Sequence, residues 1–211
     1  MTQAPSWQSL PLFEQTARWF ERAHAALLGE LPCRQGCSHC CVGIFPVTVL
    51  DQQVIQLGLS TLSDSHRNRI VETAAAQITD LTAAVPQLLT NRFVDHWSEQ
   101  ECEQVIDQCS TWPCPALESD GGCAIYQFRP LVCRSMGIPS EDDDHVNGAC
   151  AVQTSIPLIR LSKALREEED RLAVLEADEL EALRHQQGEE GEEMLLPFAF
   201  ILEASSQAIS A

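Results

Sequence analysis

A chain of 211 residues with a formal charge of −18, in which Lys163 is the sole lysine, has no basic stripe to follow a phosphate backbone, which argues against nucleic acid as a partner. The longest apolar run, residues 194–202, falls well short of the roughly 20 residues that span a bilayer, which argues against a membrane. The N-terminus lacks a basic start and an apolar segment, so the expected location is cytoplasmic, where ten cysteines stay as thiols or bind metal rather than pair as disulfides.

Taken in order, the periodic segments predict helices. Over residues 12–28, Phe13, Ala17, Phe20, His24 and Leu27 share one face, and Gly29 with Pro32 closes the segment. A short second helix starts at a capping-box pattern, Thr48 with Asp51, carries Val54, Ile55 and Leu57, and stops at Gly58. Just before it, residues 44–49 hint weakly at a strand. Ser63 opens a longer helix with Ile70, Ala74, Ile78, Leu81 and Val85 at helical spacing, ending near Pro86. Ser98 with Glu101 repeats the capping box and leads through Cys102, Val105, Ile106 and Cys109.

The C-terminal third, from Ser155 and Pro157, places Leu158, Leu161, Leu165, Leu172, Leu175 and Leu183 opposite a heavily charged face and stops at Gly188. It reads as a long acidic amphipathic helix, packed on the rest of the chain or offered to a protein partner. A last short helix is expected from residue 194 on, interrupted at Pro197. The chain thus divides into an N-terminal helix (1–29), a cysteine-cluster region (30–152) and an acidic helical region (153–211) packed on the same domain. The predicted fold is mainly α: a single helical domain in which two irregular cysteine-rich loops converge on a metal centre. The oligomeric state is left open.

Chemistry concentrates in those loops. Cys33, Cys37, Cys40 and Cys41 lie within nine residues, and Cys114, Cys123, Cys133 and Cys150 follow in the second segment. Nothing apolar and periodic explains these eight, and soft thiolates select zinc, iron–sulfur clusters or copper(I). Cys102 and Cys109, seven residues apart, share a helical face with Val105 and Ile106 and read instead as small core hydrophobes. Adjacent Cys40 and Cys41 point apart in extended backbone, so either the pair serves two metals or one thiolate binds while its neighbour acts elsewhere. Eight thiols suffice for two four-cysteine zinc sites or for one four-iron cluster with thiolates to spare.

Cys33, Cys37 and Cys40 also match the CxxxCxxC cluster motif of radical S-adenosylmethionine enzymes. Here the motif follows a helix rather than the first strand of an α/β barrel, and no glycine-rich segment comes after it. The likeness is local.

CRQGCSHCC, then CPAL, then CAIYQFRPLVCR together resemble the YkgJ-type cysteine-cluster family, a zinc- or iron-chelating domain. The resemblance rests on Cys33, Cys37, Cys40, Cys41, Cys114, Cys123 and Cys133 with Tyr126, Arg129, Pro130 and Arg134, and it covers roughly residues 30–150. It implies a centre holding zinc or an iron–sulfur cluster, with iron–sulfur favoured. A relative of the family, the flagellin lysine methylase, implies that cluster-dependent transfer at an open coordination position is the alternative to a purely metal-binding role. No methyl-donor site is recognisable in this chain.

The residues around the cysteines add detail. Arg129 and Arg134 flank Cys133, where a guanidinium would offset thiolate charge and lower thiol pKa values. Pro130 favours a turn that aims Cys133, and Tyr126 would pack its ring over the cofactor. His39 lies inside the motif as a neighbour of the ligands, and His145, after three aspartates, would bind a divalent ion only weakly.

Overall fold

Helix starts fall where the side chains cap them. The computed structural model describes residues 11–27, 36–138, 140–142, 145–147, 161–187 and 191–201. In it the Thr48 hydroxyl accepts from the Asp51 N–H at 3.2 Å and the Asp51 carboxylate accepts from the Thr48 N–H at 3.1 Å, opening α2, Val49–Ser60. Ser63 caps α3, Asp64–Ala84, and a reciprocal Ser98–Glu101 box opens α4, Glu99–Gln108. Each cap satisfies backbone donors that the first helical turn leaves without partners. Among the described residues the fold is mainly helical, with α1 Leu12–Ala26, α5 Leu131–Ser135, α6 Lys163–Gln187 and α7 Leu196–Ala199 completing the set. No helix among them is long and apolar enough to cross a membrane.

The chain folds as two compact units, each drawn from several segments. The first takes residues 1–40, 120–122 and 131–188. Within it α1 packs on α5 and α6. Its buried face is Leu12, Gln15, Thr16, Trp19 and Ala23, one position earlier than the sequence pattern suggests. Phe13, Ala17, Phe20 and His24 are only half-buried at its flank. Trp19 decides the rotation: it is 1% exposed, and its indole N–H donates to the Leu165 carbonyl at 2.9 Å, so burial leaves no orphan donor. Beside it Arg22 pairs with the buried carboxylate of Glu168. From α6, Leu172, Leu180 and Leu183 are buried. The described part of that helix begins at Lys163; residues 148–160, with Ser155, Pro157 and Leu158, lie outside the described residues.

In the same unit β2, Ser140–Asp142, pairs antiparallel with β3, His145–Asn147. A short ribbon therefore occupies part of the acidic stretch that reads as an irregular loop.

The second unit takes residues 41–119, 123–130 and 189–211. Its two-stranded sheet joins β1, Pro46–Thr48, to β4, Glu193–Leu195, in antiparallel register with Val47 opposite Met194. Phe93 bridges Met194 on the other side of β4, and the Val94 N–H donates to the Glu193 carbonyl at 2.9 Å. The apolar run after residue 193 is therefore core: Met194, Leu195, Leu196, Ala199 and Phe200 are all buried. Pro197 does not interrupt a helix there. It stands in the first turn of α7, where a missing N–H costs nothing. Around this strand Ile44, Leu81, Leu88, Val94, Val105, Cys109 and Leu195 form the core, flanked by Trp97, Trp112 and Phe198.

Gly58 does not stop α2, which runs on to Ser60. A Cβ at Gly58 would lie 2.7 Å from Phe128 Cβ and 3.1 Å from Ile125 Cγ2, so the glycine admits close approach of the 3-10 turn Tyr126–Phe128.

Candidate metal centre

Turns and short bridges order the cysteine segments. Gly36, at φ +90°, leads into Cys37, and a 3-10 turn follows over His39–Cys41. The Asp120–Gly122 turn reaches this segment. Asp120 Oδ1 accepts from the Gly122 N–H at 2.9 Å, and Gly121 adopts φ +83°. A Cβ on Gly121 would stand 3.3 Å from the Gly36 carbonyl oxygen and 3.7 Å from Ser38 Oγ. Gly36 and Ser38 bracket Cys37, so this turn backs the cysteine motif directly. The motif pattern does not single it out, although Asp-Gly-Gly is a turn signal.

In the second unit the Cys114 N–H donates to the Cys41 carbonyl at 2.7 Å, and the Gly43 N–H donates to the Trp112 carbonyl at 2.7 Å. These two bonds flank an antiparallel bridge between Val42 and Pro113. The CPAL motif is a β-turn: the Leu117 N–H donates to the Cys114 carbonyl at 2.9 Å, with Pro115 at the second position, which a fixed φ favours. Leu117 then bridges Cys123, and the Ala124 N–H donates to the Ala116 carbonyl at 2.9 Å. One backbone frame thus carries Cys41, Cys114 and Cys123. Helix α3 braces it twice: Gln77 Nε2 donates to the Pro113 carbonyl at 2.8 Å, and Arg69 pairs with Glu118 at 2.5 Å.

Tyr126 and Arg129 belong to this frame. The Tyr126 N–H donates to the Cys123 carbonyl at 3.2 Å, and Arg129 closes over the Tyr126 ring. Arg134 is in the first unit, on α5 immediately after Cys133. It is 8% exposed, and its guanidinium carbon lies 5.6 Å from the centre of the Phe13 ring. His39 is exposed. Cys33 and Cys150 lie outside the described residues, as do the side chain of His145 and the acidic residues beside it.

Burial divides the thiols. Cys37, Cys40, Cys41, Cys114, Cys123 and Cys133 are half-buried, outside the apolar core. Cys109 is core, 5% exposed, and burial pushes its thiol above the usual range, with the Asp80 carboxylate adding to the effect. Cys102 is not core. It sits half-buried on α4, raised first by burial and then by the carboxylates of Glu193 and Glu103. Among the described residues no three His, Cys, Asp or Glu side chains close on one metal position. The donor chemistry nevertheless fits zinc or iron, since the half-buried thiols supply soft ligands outside the apolar core, Cys133 from the short α5 and the others from turns and bridged segments.

The family model described as "CxxCxxCC: Putative zinc- or iron-chelating domain" matches residues 32–151, more than half of the 211-residue chain. The chain belongs to this family. Its cysteines are accordingly those of a zinc- or iron-chelating domain, as the motif resemblance implies. One departure from the CxxCxxCC pattern is visible. Three residues, Arg34, Gln35 and Gly36, separate Cys33 from Cys37, where the first gap of that pattern holds two. Neither the curated proteins nor the solved structures provide a match.

Proposed function

We propose that this chelating domain holds an iron–sulfur cluster, with zinc as the second reading, through Cys33, Cys37, Cys40, Cys41, Cys114, Cys123 and Cys133, with Cys150 available as a further thiolate. The observation that carries the reading is the frame on which Cys41, Cys114 and Cys123 hang. Two backbone hydrogen bonds at 2.7 Å, the CPAL turn and the Leu117–Cys123 bridge fix three motif cysteines whose positions no apolar packing requires. In the first unit, the Gly36 and Gly121 turns shape the backbone on either side of Cys37.

A thiolate-bound cluster supplies electron transfer, or a Lewis-acid position where one ligand site stays open. The chain's own groups bind and tune it. Within the second unit, Cys41, Cys114 and Cys123 present their thiols from the bridged frame. The buried Arg134 follows Cys133 on α5, with its guanidinium carbon 5.6 Å from the centre of the Phe13 ring. Because the cysteine segments have little core of their own, metal binding contributes folding energy to them.

The decisive measurement is anaerobic purification followed by iron, zinc and acid-labile sulfide analysis. Iron with matching sulfide and visible absorbance is the expected result. Stoichiometric zinc without sulfide overturns the iron–sulfur reading in favour of zinc, and a chain without either metal overturns both. Serine at Cys114 or Cys123 is expected to abolish retention of the metal, whereas serine at Cys102 leaves it intact.

A further inference from the structure

The bridge between residues 41–43 and 112–114 sets two thiols opposite each other. Its hydrogen bonds, Cys114 N–H to Cys41 carbonyl and Gly43 N–H to Trp112 carbonyl, both at 2.7 Å, place Cys41 and Cys114 at facing positions of a short antiparallel ladder. Facing residues that exchange both ladder hydrogen bonds have Cα atoms about 5.5 Å apart, and the bond from the Cys114 N–H to the Cys41 carbonyl is one of those two. A disulfide spans Cα separations of roughly 4.4–6.8 Å, a range that includes the spacing of facing ladder residues. Both cysteines are half-buried and thus within reach of a small oxidant. Neighbouring Cys40 and Cys41 are consecutive in a 3-10 turn, which directs their side chains about 120° apart and leaves Cys41 to its cross-strand partner.

We propose that Cys41 and Cys114 form a dithiol–disulfide pair, closed by a peroxide when the chain is metal-free and kept reduced when metal engages the two thiolates. The second half rests on the metal-binding reading above; the first does not. In the reaction one thiolate attacks the peroxide O–O bond, giving a sulfenic acid and one water. The second thiolate then attacks the sulfenyl sulfur, and a second water leaves as the S–S bond forms. Two thiols are oxidised by two electrons, and one hydrogen peroxide is reduced to two waters. The product locks the two bridged segments together and withdraws two candidate ligands, so oxidation after metal loss stops the site from refilling until a thiol reductant reopens it.

The test uses the full chain stripped by a chelator, with metal removal verified by elemental analysis. It is treated with hydrogen peroxide, quenched with an alkylating agent, and mapped by peptide fragmentation mass spectrometry. A Cys41–Cys114 link as the most abundant crosslink, reversed by dithiothreitol and lost in Cys114→Ser, is expected. A dominant link elsewhere, such as Cys37–Cys40 or Cys114–Cys123, overturns the proposal. Should Cys114→Ser fail to fold, the Cys37→Ser/Cys40→Ser variant decides instead: the Cys41–Cys114 link persists if the pair is set by the ladder, and its loss overturns the assignment. In a parallel arm the metal-loaded chain is oxidised at the same peroxide concentration. Crosslinking at least tenfold slower supports metal gating. An unchanged rate with metal still bound upholds the pair but removes Cys41 and Cys114 from the ligand set, which separates failure of the gating from failure of the pair.

Discussion

Arg129 lies over Tyr126: its guanidinium carbon stands 3.8 Å from the centre of the phenol ring, while its Nε donates to the Tyr126 carbonyl at 3.0 Å. One side chain thereby closes the turn that begins at Cys123, holding both the ring and the backbone of the residue three positions earlier. This explains why tyrosine and arginine occur together in CAIYQFRP without assigning either to metal contact. The planar fork that stacks and donates at once is a property of arginine that lysine lacks.

The pair makes an expectation for stability. Arg129→Lys retains the charge but loses the Nε bond and the planar stack, and should destabilise the chain by about 1–2 kcal/mol. Tyr126→Phe keeps the ring and its carbonyl and should change stability by less than about 0.5 kcal/mol. Urea denaturation of both variants checks this; equal losses would mean that the hydroxyl, not the stack, does the holding.

A second expectation concerns Gly58. Alanine in a helix interior ordinarily gains about 0.5–1 kcal/mol over glycine. Here the added methyl would meet Phe128 Cβ at 2.7 Å, and overpacking of that kind costs about 1–3 kcal/mol. The clash wins, so Gly58→Ala should destabilise. In a Phe128→Gly background, which removes that Cβ, the same change should cost less, with the 3.1 Å approach to Ile125 Cγ2 still in place, and a double-mutant cycle by thermal denaturation measures the coupling.

Gly58 also shows what can be read from sequence and what cannot. The capping boxes at Thr48–Asp51 and Ser98–Glu101 are legible because both partners of each bond lie within three residues. The family motif is legible for a similar reason, since its spacing is local in each segment. Gly58 reads as a stop because glycine ends helices by local propensity, and its actual reason, Phe128, lies seventy residues away. The partner of β1 escapes the sequence likewise: β4 is a three-residue strand whose pairing with Pro46–Thr48 depends on chain distant in sequence. On α1, the apolar pattern points one position off the buried face, because the hydrogen bond from Trp19 to Leu165 outweighs the half-exposed phenylalanines.

Glu193 gives a pH dependence. Its carboxyl is raised above the ordinary carboxylate range by partial burial first, then by the carboxylates of Asp95 and Glu192, while Asp95 is held close by the N–H groups of Glu192 and Glu193 at 2.7 and 3.2 Å. A raised acid binds its proton more tightly in the folded state. Its stabilising contribution is complete below the unfolded value, about 4.3, and is lost as pH rises through the higher folded value. Glu193→Gln should therefore stabilise the chain at neutral pH, with the gain shrinking as pH is lowered towards about 4. Denaturation series at several pH values read this directly, and a gain constant with pH would point to a cause other than titration.

Cys102 and Cys109 should resist modification. Both thiols are raised, burial being the first cause in each, so their thiolate fraction at pH 8 is small. Iodoacetamide labelling followed by peptide mapping should leave Cys109 the slowest thiol of the native chain. Cys109→Ser places a hydroxyl in an apolar cluster and should cost about 1–3 kcal/mol, yet leave metal stoichiometry unchanged in the folded fraction. Loss of metal from that folded fraction would return Cys109 to the candidate ligands.

Gln77 tests whether the scaffold governs the centre. It is 8% exposed on α3, and its amide N–H donates at 2.8 Å to the carbonyl of Pro113, the residue before Cys114. Gln77→Met keeps the volume and removes the donor, leaving the Pro113 carbonyl without that partner. It also removes Gln77 Oε1, a buried acceptor without a hydrogen bond among the described residues, which offsets part of the loss. The net cost to stability should therefore be small, about 1 kcal/mol. The effect on metal should be larger in proportion, because the bond fixes the backbone that presents Cys114, and partners one step behind metal ligands typically govern affinity by about 10–100-fold. Competition with a chromophoric chelator measures that ratio. A variant that loses stability but holds metal as tightly as the parent would separate the brace on Pro113 from the centre and leave α3 with a purely architectural role.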